Sequence, residues 1–169
     1  MNKEVMKPSE GCGMYGVYSK KPFVSPRLYK GLSRLSHRGE ESYGIATFST
    51  PERRLIINKK MGHVHQGFSG EELDQLDGYF GAGHNRYSTR GTSDLHHAQP
   101  LYFRSPNFGE FALMHNGTIR NAEEIKEALI KSHNIPEFKS DSDTEVAGRL
   151  IGLGKDLVDG IKLASRELR

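Results

Sequence analysis

Apolar and polar positions alternate along CGMYGVYS (12–19), YGIATFS (43–49) and RLIIN (54–58), and turn-forming or charged residues bound each stretch. A period of two between such boundaries predicts three β-strands. FGAGHNRYS (80–88) and GEFALMHNG (109–117) predict two more, and Asn116-Gly117 has the composition of a type I′ turn. Helical spacing takes over elsewhere. Ser25-Pro26 reads as an N-cap followed by proline in the first turn, and Leu28, Leu32 and Leu35 then share one face of a helix ending near His37-Arg38-Gly39. Ser69 and Glu72 form a capping box for the short helix EELDQL (71–76). Asn121 with Glu124 caps a helix whose buried stripe is Ile125, Ala128 and Leu129, and which stops before Pro136. From Asp143 to Arg169 the pattern predicts two helices broken around Gly152 and Gly154.

Strands therefore arrive in adjacent pairs, with helices grouped between and after them. That order predicts an α+β domain with mostly antiparallel sheets. The length of 169 residues suits one domain with a real core. Cys12 is the only cysteine, which excludes an internal disulfide framework and fits a reducing cytoplasm. The first eleven residues, MNKEVMKPSEG, contain no apolar stretch of the secretory type, and no apolar run has the length of a membrane span. A net charge of +3, spread among acids, argues against nucleic acid as the main partner.

Taken one at a time, the polar residues of the loops carry little. A lone cysteine such as Cys12 is commonly an inert small hydrophobe. His63, His65, His84, His96, His97 and His115 come without CxxC or HExxH spacing, so no metal site is predicted. Arg86 alone reads as a surface arginine and Asp143 as a helix N-cap. In order, however, Cys12-Gly13, H-R-G-x-x-S (37–42), G-H-x-R-Y-S-T-x-G (83–91), A-Q-P (98–100), H-N-G (115–117) and S-D-T-E (142–145) closely resemble the glutamine amidotransferases of the N-terminal nucleophile type. LSHRGEESYGIA and GHNRYSTRGTSDLHHAQPL look most like the glutaminase domains of amidophosphoribosyltransferases, which open purine synthesis by making phosphoribosylamine. The resemblance runs from Cys12 to about Glu145.

The resemblance implies a four-layer αββα sandwich, with residues 1–11 as a removable leader and residues 12–169 as an amidotransferase domain whose relatives continue further. It implies no cofactor in this chain and no metal. Its partners would be L-glutamine and an ammonia-accepting transferase domain or subunit, within a homo- or hetero-oligomer, away from nucleic acid and membranes. Residue by residue, Cys12 would be the nucleophile. Asn116 and the Gly117 N–H would form the oxyanion site. Arg86, Tyr87, Thr89 and Asp143 would bind substrate, and Arg38 would support the loop around the thiol. The chemistry suits these types. A free thiol is mostly protonated at neutral pH, whereas a newly exposed α-amino group, with an ordinary pKa of about 7.7–8.0, can take its proton within the same residue. Opposite charges at two ends select a free amino acid over a peptide-bound glutamine. Two rival readings remain: the same module serving a glucosamine-6-phosphate synthase, asparagine synthetase or glutamate synthase, and a non-catalytic glutamine-binding module that never frees Cys12.

Overall fold

The computed structural model describes residues 11–87, 94–133, 135 and 138–169. Strands β1 (Gly13–Tyr18), β2 (Ser42–Ser49), β3 (Arg54–Met61) and β4 (Phe80–Arg86) form one sheet in the order β1-β4-β2-β3, and β5 (Leu101–Ser105) pairs with β6 (Gly109–Leu113) in a second. Every pairing is antiparallel. The helices are α1 (Ser25–Arg34), α2 (Gly70–Gln75), α3 (Ala122–His133), α4 (Asp143–Ile151) and α5 (Leu157–Glu167).

The layers follow from which faces are apolar. Leu28 and Leu32 of α1 meet Tyr43 and Ile45 of β2, with Val24, Val64, Phe68 and Leu76 closing that core. Gly81 and Gly83 of β4 lie under the same two leucines, so the helix settles close to the sheet. The opposite face of β2 meets the second sheet. A Cβ on Gly44 would stand 2.5 Å from the Gln99 carbonyl oxygen, so a side chain there would force the layers apart. Beyond β5 and β6, a second core gathers Leu101, Phe103, Phe111, Leu129, Val146, Leu150, Ile151 and Ala164 beneath α3, α4 and α5. The result is the expected αββα order, with each apolar core between a sheet and its helices.

Several local expectations need correction. Val24, not Ser25, precedes α1, and the Ser25 hydroxyl donates to the Leu73 carbonyl at 2.7 Å, tying α1 to α2. The Ser69–Glu72 capping box is present. Asn121 spends its side chain elsewhere: its amide donates to the Glu167 carbonyl and its oxygen accepts from the Arg169 N–H, fastening α3 to the end of α5. Ala128 is exposed, and the inward stripe of α3 is Ala122, Ile125 and Leu129. Strand β3 continues to Met61, and β5, whose Leu101, Phe103 and Ser105 alternate inward, is a strand beyond those the pattern predicts. Asn116-Gly117 is not a hairpin turn, because β6 has already ended at Leu113.

Candidate active site

The two sheets present one shared rim. There β1 begins, β4 ends and β2 begins, as the pairs Gly13↔Asn85 and Ser42↔Arg86 require. Cys12 directly precedes β1 at this rim. The Cys12 thiol contacts the Tyr87 carbonyl at 3.8 Å. From the second sheet, the chain leaving β6 carries His115, Asn116 and Gly117 to the same place, and Gly117 takes φ +152°, a conformation suited to glycine.

Two sequence-distant side chains converge on Cys12. Its carbonyl oxygen accepts from Arg38 Nε at 3.3 Å and from Asn116 Nδ2 at 3.3 Å. Arg38 stands in the single turn of 3-10 helix (Ser36–Arg38) that follows α1, so α1 delivers it. Arg86 forms an ion pair with Glu41. Asp143 is the first residue of α4, whose N-cap is Ser142 rather than Asp143 itself. It accepts the Ile119 N–H at 2.9 Å and lies 3.6 Å from His115 Nδ1. Burial alone would raise its pKa, but the bonds from His115 and the Ile119 N–H prevail and hold the carboxyl below its ordinary range. An ionised Asp143 at neutral pH can receive an ammonium group. Tyr87 is exposed, with its backbone beside the thiol, and Thr89 lies outside the described residues. Among the described residues no group of histidine, cysteine and carboxylate side chains could hold a metal ion.

The structure also gives partners and surroundings to residues that received no role from the sequence, some of them inside its motifs. Gln99 is buried, its Oε1 accepting the His115 N–H at 2.7 Å and its Nε2 donating to Thr144 Oγ1 at 3.2 Å. One amide thus fixes the segment before Asn116 to the helix that starts with Asp143. Glu145, also buried, accepts the Lys139 and Ser140 N–H groups and holds the approach to Asp143. His97 sits between two carboxylates, with Nδ1 at 2.7 Å from Asp94 and Nε2 at 2.5 Å from Asp141. His84 is fully buried between the sheets, and among the described residues neither ring nitrogen has a hydrogen-bond partner. Its pKa falls to about 4 through burial and the nearby Arg86 and His115.

A thiol, an amide donor beside it, and an oriented cation and anion at one rim form a set able to hold a small zwitterionic amide. The chain belongs to the glutamine amidotransferases: residues 43–162, more than half of it, match the family described as "Glutamine amidotransferase domain". Among curated proteins it is 38% identical to the amidophosphoribosyltransferase of Synechocystis over 158 residues, covering 91% of this chain and 31% of that protein. It is likewise 38% identical to the amidophosphoribosyltransferase of Bacillus subtilis, over 89% of this chain and 31% of that one. A solved structure described as that of the allosteric regulatory enzyme of purine biosynthesis superposes with a TM-score of 0.80 at 34% identity, covering 94% of this chain and 33% of its own. The chain spans about a third of the length of the relatives it matches.

Proposed function

We propose that this domain hydrolyses the side-chain amide of glutamine through a thioester on Cys12 and delivers the ammonia to a phosphoribosyl-pyrophosphate acceptor, making phosphoribosylamine at the start of purine synthesis. The observation that carries the reading is the convergence of Arg38 and Asn116 on Cys12 from three separate parts of the chain. The likeness to amidophosphoribosyltransferases supports the choice of acceptor.

In this reading Gly11 and the residues before it are removed, and the new α-amino group of Cys12 takes the thiol proton. The Sγ atom attacks the glutamine Cδ, and the carbonyl oxygen takes on negative charge. Asn116 Nδ2 and the Gly117 N–H donate to that oxygen as its charge develops, a contribution worth roughly 10²–10³ in rate per donor. Collapse breaks the C–N bond, the nitrogen leaves as ammonia with the proton held by the α-amine, and water then cleaves the thioester to glutamate and thiol. Arg86 pairs with the substrate α-carboxylate and Asp143 with its α-ammonium. The transferase partner lies in sequence that the relatives possess beyond this match.

The test is glutamate release by the parent and by Cys12→Ala, together with N-terminal sequencing. The reading predicts a mature chain beginning at Cys12 and loss of turnover in the variant. Turnover at the parent rate without the thiol would refute it.

A further inference from the structure

Arg86 does not wait for a carboxylate with its charge uncompensated. Glu41 already pairs with its Nη1, and both side chains are only 14% exposed. Two backbone contacts fix Glu41 itself: its N–H donates to the Arg86 carbonyl at 3.2 Å, and its carbonyl accepts the Gly62 N–H at 2.7 Å. Gly39 lies flush against the same strand end, since a Cβ there would stand 2.7 Å from the Arg86 carbonyl carbon and oxygen. Arg38, in the same loop, holds the Cys12 carbonyl. A loop of four residues therefore touches both the nucleophile residue and the cation.

We propose that Glu41 is a positioning residue that sets specificity for a free α-carboxylate: it fixes the plane of the Arg86 guanidinium and so the direction in which a second carboxylate can dock. The proposal rests on the reading of Arg86 as the carboxylate clamp. Its physical basis is the shape of the group. A guanidinium has five N–H donors in a rigid planar fork, so a carboxylate held at one nitrogen fixes the plane of the others. A second carboxylate then docks on an edge already in place, and less ordering remains to be done on binding. Without Glu41 the charge persists, mostly buried and without this partner, and the fork is free to turn.

The experiment compares Glu41→Ala, Glu41→Asp, Glu41→Gln and Arg86→Ala on L-glutamine and on its α-amide, which lacks the carboxylate. Alkylation of Cys12 by iodoacetamide, an electrophile with no amino-acid end, reports whether the rim is intact. Glu41→Ala is expected to raise KM for glutamine about tenfold or more with kcat within about threefold. Its preference for glutamine over the α-amide collapses, while iodoacetamide labelling stays at the parent rate. Glu41→Gln, whose amide oxygen accepts the same bond, recovers most of the loss. Should Glu41→Ala fail to fold, Glu41→Asp carries the test, with an expected rise in KM of about threefold at parent kcat. An unchanged KM in the Glu41 variants, alongside a raised one in Arg86→Ala, overturns this inference alone. Loss of labelling in step with activity overturns it in favour of a plain folding role. An Arg86→Ala protein that still prefers the free carboxylate overturns the clamp reading on which it rests.

Discussion

Gln99→Met removes one buried amide of similar length and two hydrogen bonds. The His115 N–H loses an acceptor at 2.7 Å, and Thr144 Oγ1 loses a donor at 3.2 Å. An orphaned donor costs about 1–3 kcal/mol, and the second bond adds roughly 1 kcal/mol, for a total of about 2–4 kcal/mol. In a domain of this size each kcal/mol moves Tm by about 2–4 °C, so the melt should fall by about 4–16 °C. The kinetic consequence follows from position. Asn116 comes directly after His115, so freeing that segment blurs the proposed oxyanion donors first; Asp143 loses the tie through Thr144 but keeps the Ile119 N–H, and Arg86 is not among the partners of Gln99. The expected result is a kcat about 10- to 100-fold lower, less than the full loss of a donor, with KM within about threefold. The assay is glutamate release at saturating and limiting glutamine, beside a thermal melt of the same preparation. A Gln99→Met protein that melts within about 2 °C of the parent and keeps its kcat would refute the reasoning, because a buried amide with two partners cannot be that dispensable.

Arg86→Ala should chiefly raise KM for glutamine, since the proposed contact with the substrate carboxylate would form in ground and transition states alike, whereas Asn116→Ala should chiefly lower kcat; identical defects would contradict that division. Gly39→Ala should cost about 1–3 kcal/mol in the melt and disable glutamine turnover, because the intruded atoms belong to the Arg86 backbone and cannot swing away. The acid limb of stability should carry His84. Its folded pKa of about 4 lies below the ordinary 6.5, so the unfolded chain binds the extra proton and stability falls as pH drops through that window, by about 3 kcal/mol in all; denaturant melts of His84→Asn across the window should lose this slope. His97 acts with the opposite sign. Burial would lower its pKa, but the bonds to Asp141 and Asp94 outweigh burial and raise it, so its stabilisation is full below pH 6.5 and fades as pH rises through the folded value. The alkaline limb of His97→Asn should accordingly be flatter than the parent's.

Sequence pattern exposed the elements that bury one clear face and hid those that do not. Leu28 and Leu32 of α1, and Tyr43 and Ile45 of β2, carry the period of their element into a core, and both elements were legible. Strand β5 also alternates, but it is five residues long between Pro100 and Pro106, and β3 runs on through Lys59 and Lys60, whose ammonium groups find the Ala98 carbonyl and Glu72. Lysines in a strand read as its end until their partners are seen. The site divides the same way. Cys12, Arg38, Asn116 and Asp143 stand in motifs whose order is informative, and the structure brings the first three together. Glu41 and Gln99 are ordinary residue types whose partners lie 45 and 16 positions away, so only the folded chain identifies what they hold.

The most direct test is to mix protein whose first residue is Cys12 with glutamine, quench in acid within the first turnovers, and map the peptides by mass. The account predicts a γ-glutamyl acyl group on Cys12, present in the parent and accumulating in proportion to ammonia released before glutamate. Glutamate formed with no acyl group on Cys12 at any quench time, or an acyl group carried by another residue, would contradict it.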